Sequence, residues 1–148
     1  MSYIESNLMK NEHIIYRATL HWSIFIKSSL FFLFGLILKQ GGSTIGGIFI
    51  FAAILLALIQ LINYKTSEFA LTNKRVIVKV GFIRRNSLET LLNKVEGIQV
   101  NQGISGRLLN YGSITISGTG GSKDPFKNIA NPLEFRKIVQ EQIAATSE

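Results

Sequence analysis

Side chains that do chemistry are scarce in this sequence. Aspartate occurs once, at Asp124, and histidine twice, at His13 and His21. Cysteine is absent, which removes disulfides, thiolate metal sites, iron–sulfur clusters and cysteine nucleophiles. Acid–base or nucleophilic catalysis needs a base within reach of the group it activates. Glu89 and Glu96 are instead lone carboxylates, of the kind that are solvated or paired on a β-rich surface. No His, Asp or Glu spacing suits a metal, so the chain reads as non-enzymatic, with no cofactor. Gly118, Thr119, Gly120 and Gly121 have the composition of a phosphate-cradling loop, but no lysine-serine pair opening a helix follows them. Ser122, Lys123, Asp124 and Pro125 continue a turn, and a glycine-rich reversal between two strands is the simpler reading.

The sequence does carry positive charge. Its net charge is +7 and its pI about 9.9, a balance that suits nucleic acid, anionic lipid or a cytoplasmic membrane face. Lys74, Arg75, Lys79, Arg84, Arg85, Arg107, Lys123 and Lys127 are the cations available to anionic headgroups, each contributing about 1 kcal/mol near such a surface. The adjacent Arg84 and Arg85 lead the candidate contacts, followed by Lys79, Lys74 and Arg75. Membrane topology and solubility would place most of these residues here without a specific ligand, and that reading is favoured. Nucleic acid is not expected: no aromatics interleave with the basic residues in the ribonucleoprotein pattern, and no helix carries a basic recognition face.

The elements that must position these residues fall into two kinds. Hydrophobic residues make up 47% of the 148, and most lie in two blocks, Trp22 to Leu38 and Ile45 to Ile62. The first, as a helix, spans about 26 Å, slightly less than a hydrocarbon core, and the second contains no charge. A buried helix pair in a soluble protein would keep a polar stripe, whereas the second block offers only Gln60. Lys27 lies close enough to Trp22 to snorkel to the headgroups. A cleavable signal is not expected, because polar residues precede the first block and a second span follows directly.

Only residues 39–44 connect the blocks, so an antiparallel transmembrane hairpin over 22–64 is expected, with both termini on one side. Lys10 and Arg17 before it and the basic run after it, against Lys39 alone in the turn, place both termini in the cytoplasm. Trp22, Lys27, Tyr64 and Lys65 then anchor the interface. Gly46, Ala53 and Ala57, with Gly47 and Ala52, give the second helix a small-residue face for close helix packing.

The rest alternates as strands do. His13–Leu20, before the hairpin, reads as a half-buried strand. After it, strands are expected over Ser67–Thr72, Arg75–Val80, Phe82–Asn86, Val95–Gln102 and Gly112–Gly118, punctuated by Asn73, Gly81, Gly103 and Gly112. Ser105–Asn110 is too short for more than a turn of helix. Asn131, Pro132 and Glu134 start a terminal helix over about 132–145, whose Phe135, Ile138, Val139 and Ile143 face the sheet. The expected fold is α+β: a bent antiparallel sheet or small barrel capped by a C-terminal helix, with a helical hairpin. Residues 1–21 supply its first strand and 65–148 the remainder.

Three spaced motifs carry a family resemblance. Leu71, Thr72, Asn73, Lys74 and Arg75 at the first hairpin, Gly106 to Gly112 (GRLLNYG), and Asn131, Pro132 and Phe135 resemble the membrane-anchored bacterial pleckstrin-homology-like (PH-like) domains. The resemblance covers Tyr64 to about Ile143 and extends to the preceding strand and hairpin. It implies a PH-like fold interrupted after its first strand by a membrane hairpin, and a binding or assembly module rather than a reaction; a fold shared across functions supplies none by itself. The function expected is a module on the cytoplasmic face of the bacterial inner membrane that self-associates or docks a protein partner in the membrane. The alternatives are an anionic-lipid headgroup sensor and a pore-forming or transport accessory protein. Membrane lipid and a second copy of the chain are the expected partners.

Overall fold

The computed structural model describes residues 3–82, 86–119, 121–122 and 125–146. The chain divides into two compact units, Met1–His21 with Thr66–Glu148, and Trp22–Lys65.

In the first unit, β1 (Ile14–Ala18), β2 (Glu68–Thr72), β3 (Arg75–Val80) and β4 (Asn86–Leu91) form an antiparallel sheet in that order. The register places Phe69 opposite Val78, Ala70 opposite Ile77 and Leu71 opposite Val76. Directly opposed residues share a face, so Phe69, Leu71, Val76 and Val78 line one side and Ala70 with Ile77 the other. All six are buried, so this strand pair is covered on both faces. The outer cover is the N-terminal segment: α1 (Tyr3–Ser6) puts Ile4 against Ala70 and Ile77, with Tyr3, Leu8 and Ile14 packed around them. Glu68 fixes α1 by accepting the N–H groups of Tyr3 and Ile4, each at 3.1 Å.

The second sheet is built on β6 (Tyr111–Gly118), with β5 (Val95–Asn101) along one side and β7 (Gly121–Ser122) and β8 (Phe126–Ala130) along the other. It joins the first sheet where Leu20 bridges Ile129, His21 N–H donates to the Asn128 carbonyl at 2.7 Å and Ala130 N–H donates to that of Thr19 at 3.0 Å. α5 (Pro132–Thr146) packs against β1, β5 and β6. Its Phe135 and Val139 are buried while Ile138 and Ile143 are half-buried, and the Phe135 ring lies 6.1 Å from that of Tyr16. The terminal helix thus presents the stripe its 3.6-residue period requires. Its expected cap works differently, because the Asn131 side-chain oxygen accepts the Asn110 amide and Asn131 itself has φ 48°.

Two expectations are corrected, and two elements are added to those expected. The strand placed at Phe82–Asn86 instead runs from Asn86 to Leu91. Gly81, at φ 86°, turns the chain out of β3, and Phe82 lies in the bend that follows. β8 and α1 were not anticipated at all. Ile104–Leu109 forms a six-residue helix, α4, longer than the single turn allowed for it.

In the second unit a 3-10 turn over Trp22–Phe25 leads into α2 (Ile26–Gln40), and α3 (Thr44–Thr66) returns after a turn in which Gly42 has φ 75°. The helices run a few residues beyond the expected 22–38 and 45–62. Their contact begins beside the turn. A Cβ on Gly46 would stand 2.8 Å from the Gly35 carbonyl oxygen and 2.5 Å from the Lys39 nitrogen, and one on Gly35 would stand 2.9 Å from the Ile50 nitrogen. Neither position tolerates a side chain without moving backbone. Farther along, Phe49 packs on Phe31 and Phe34, and Phe25 packs on Tyr64.

Candidate functional site

The basic residues around the β2–β3 turn serve a purpose the sequence alone did not reveal. Arg75, Ile77 and Lys79 alternate onto the outer face of β3, the face covered by the N-terminal segment. The Arg75 guanidinium donates from Nε to Glu12 Oε1 at 2.9 Å, from Nη2 to Glu12 Oε2 at 3.1 Å and to the Asn7 carbonyl at 2.6 Å, and from Nη1 to Glu89 Oε2 at 2.5 Å. The side chains of Arg75 and Glu12 are 7% and 0% exposed. A charge buried to that extent must be paired and hydrogen-bonded, and here it is. Burial by itself would raise the Glu12 pKa, but hydrogen bonds from Arg75, the Met9 N–H and the Thr72 hydroxyl outweigh burial and hold the carboxyl below its ordinary value. The hydrogen bond to Glu12 conversely raises that of Arg75.

The neighbouring motif residues grip the same segment. Asn73 accepts the His13 N–H and donates to the Asn11 carbonyl, both at 3.1 Å. Lys74 Nζ donates to the Lys10 carbonyl at 2.7 Å, and the Lys79 ammonium lies 4.4 Å from the centre of the Tyr3 ring. Thr72 through Arg75 therefore form a clamp on residues 7–13. Arg75, one of the candidate headgroup contacts, has its donors spent on two carboxylates and a carbonyl. Lys74 and Lys79 also have partners within the domain, and Arg84 and Arg85 lie outside the described residues.

Among the described residues, no three His, Asp or Glu side chains converge as a metal would require. His21 stacks on Tyr111, with ring centroids 5.1 Å apart and planes 21° apart, and burial lowers its pKa. Glu89 is committed to Arg75, and Glu96 is exposed on β5. Of the glycine-rich segment, Gly118 pairs with Gly121 across β6 and β7, and Gly120 lies outside the described residues.

The GRLLNYG motif builds one end of the domain. Gly106 is required where α4 lies on the following strand, because a Cβ there would be 2.5 Å from the Tyr111 carbonyl oxygen. Asn110 ends the helix in the left-handed conformation, φ 58° and ψ 49°, and its N–H returns to the Gly106 carbonyl, a stop in which asparagine is second only to glycine. Gln102 Nε2 donates to the carbonyls of Gly106 and Tyr111 at 3.3 and 3.1 Å, and the hydroxyls of Ser105 and Tyr111 are 2.9 Å apart.

On the hairpin, Trp22, Lys27, Tyr64 and Lys65 are all exposed. Of the small residues on α3, Gly46 meets α2, Ala53 is buried one heptad later, Ala57 is half-buried, and Gly47 faces open space.

Two antiparallel sheets joined at a strand extension and closed by a C-terminal helix are the architecture of a PH-like domain. The chain belongs to the bacterial PH domain family, whose model matches residues 28–143. That span begins inside α2, so most of the hairpin lies within the matched region. No curated protein and no solved structure matches the chain.

Proposed function

We propose that this chain is a non-enzymatic, membrane-anchored PH-like module. Its hairpin crosses the bacterial inner membrane with both termini in the cytoplasm, and the domain binds a protein partner or a second copy of itself. The observation that carries the reading is the outward face of the hairpin. Ile37 on α2 and Ile48 and Phe51 on one side of α3 are 66%, 67% and 64% exposed, and α3 presents apolar residues around its whole circumference. In water such a helix would expose far more apolar surface than a soluble protein tolerates; in hydrocarbon the same surface is the favourable one, and the helices satisfy their own backbone hydrogen bonds. The charge of the flanks supports the orientation.

The topology of the first unit suits such an anchor. β1 and β2 pair antiparallel with Ala18 opposite Phe69, so the chain leaves and re-enters the domain at one end of one strand pair. Family membership and the absence of a convergent acid–base or metal constellation among the described residues favour binding over catalysis. β4 and β5 end their sheets among the described residues, and such edges accept a partner strand.

The test uses the lack of native cysteine. In spheroplasts, Ser43→Cys should react with a membrane-impermeant maleimide and Thr146→Cys only after lysis; equal labelling of both before lysis would refute the topology. The mass of the complex extracted in mild detergent, with its companions identified, tests assembly. A lone monomer would remove that part of the proposal.

A further inference from the structure

On α4, Ile104 and Leu108 are four residues apart and therefore project from one face. They are 85% and 81% exposed, more than any large apolar side chain of the hairpin. Single exposed hydrophobics are ordinary on a protein surface, but this pair is held outward by construction. The opposite face of α4 is fixed by Gly106 against the Tyr111 carbonyl, by the two Gln102 hydrogen bonds and by the Ser105–Tyr111 contact. The Asn131 N–H donates to the Asn110 carbonyl at 3.0 Å, which ties the end of α4 to the start of α5.

Its place in the domain indicates what covers it. Tyr111, on which α4 rests, stacks on His21, and the next residue, Trp22, begins the apolar segment. α4 is thus two side-chain contacts, Ser105 to Tyr111 and Tyr111 to His21, from the point where the chain leaves the domain for α2. Its charge fits as well: Arg107 lies between the two aliphatic residues and is exposed, it makes no ion pair among the described residues, and no acidic residue occurs between Glu96 and Asp124. An apolar tip with an adjacent cation matches the lipid interface, where aliphatic side chains enter the acyl boundary and the cation meets phosphate.

We propose that Ile104 and Leu108 dip into the same bilayer that holds the hairpin, with Arg107 on its anionic headgroups, giving the domain a second point of attachment. The inference rests on the membrane-anchored reading above. α4 is too short to lie along a membrane as an amphipathic helix; it acts as a two-residue wedge. The consequence is orientational, because a domain held by its tether and by this wedge presents fixed surfaces to a partner instead of turning freely.

The experiment uses full-length protein in vesicles of phosphatidylethanolamine and phosphatidylglycerol that include brominated phosphatidylcholine. A nitrobenzoxadiazole label is placed in turn on Ile104→Cys, Leu108→Cys, Phe51→Cys in α3 and Glu141→Cys on the exposed side of α5. Bromine quenching should be several-fold stronger at 104 and 108 than at 141, and strong at 51. If 51 is quenched but 104 and 108 behave like 141, the wedge is refuted and the anchor stands. If 104 and 108 are shielded from aqueous iodide yet unquenched by bromine, protein covers the patch and the lipid assignment is overturned. If 51 is also unquenched, the anchor itself fails and the wedge falls with it.

Discussion

Replacing Arg75 by methionine should be among the most damaging single changes in the PH-like unit. The substitution keeps much of the apolar stem but removes the guanidinium, leaving Glu12, whose side chain is 0% exposed, as an uncompensated buried charge. Removing one partner of a buried ion pair costs about 3–5 kcal/mol, a large part of the roughly 5–15 kcal/mol that holds a domain folded. The second leg of the network is worth less. Glu89 is 38% exposed, and Glu89→Ala should cost about 1 kcal/mol or less, as partly exposed pairs do. Pulse proteolysis of the chain in detergent micelles across a urea series reads the difference. With a slope of about 2 kcal/mol per molar urea, Arg75→Met should lower the midpoint by roughly 2 M and Glu89→Ala by no more than about 0.5 M. Combining Arg75→Met with Glu12→Leu should recover part of the loss, because the stranded charge is then gone.

The network also has a pH signature. The folded Glu12 carboxyl titrates below its ordinary 4.5, so its contribution is complete above that pH and is lost as pH falls through the lower folded value. This acid-side loss should be much smaller in Arg75→Met. Equal midpoint shifts for Arg75→Met and Glu89→Ala, or an Arg75→Met midpoint at the wild-type value, would refute the reasoning.

Gly46→Leu should separate α2 from α3, since even its Cβ would meet backbone at 2.5 Å, whereas Gly47→Ala meets nothing within 4 Å and should be silent; disulfide formation in a Phe31→Cys, Phe49→Cys pair introduced into each background reports the change. Joining His21 to Thr66 with a short Gly-Ser linker in place of residues 22–65 should give a folded, water-soluble domain, because Ala18 and Phe69 are already paired. Sharp transitions in circular dichroism would support this, and an unfolded or aggregated product would count against it. Burial depresses the folded pKa of His21, so protonation favours the unfolded chain: stability at the β8–α4 end is complete above the ordinary 6.5 and falls as pH drops through it toward the folded value. Hydrogen exchange at Tyr111 and Ile129 should accelerate between neutral pH and pH 5 beyond the intrinsic change, and His21→Phe, which keeps a ring on Tyr111, should remove the excess.

Period and punctuation carried much of this fold. Valine at every second position of Arg75–Val80 located β3, two dense apolar blocks located the helices, and the Asn-Pro start with its apolar stripe located α5. β4 was misplaced because Asn86–Leu91 is largely polar on its open face, while Phe82 and Ile83 supplied a stronger local apolar signal. β8 is hard to read locally because Phe126–Ala130 is short and Lys127 and Asn128 at its centre read as loop; its pairing with β6 and its bridge to Leu20, beyond β1, are long-range facts. The clamp was hidden for the same reason. Glu12 and Arg75 are 63 positions apart, and a basic residue beside Lys74 reads as surface charge until the N-terminal segment is known to lie over β3. The one local hint was Arg75 at the head of a run otherwise apolar at alternate positions, on a strand whose two faces are both buried. The α4 surface was similarly half legible: the GRLLNYG motif marked the place, but only the Gly106 contact shows which side of the helix is left outward.

Extraction of membranes bearing the full-length chain tests the anchor most directly. Washed with alkaline carbonate, the chain should remain in the pellet and should pass into solution only with detergent. Recovery of the full-length chain in the aqueous fraction as a single dispersed species, with no detergent present, would contradict the account.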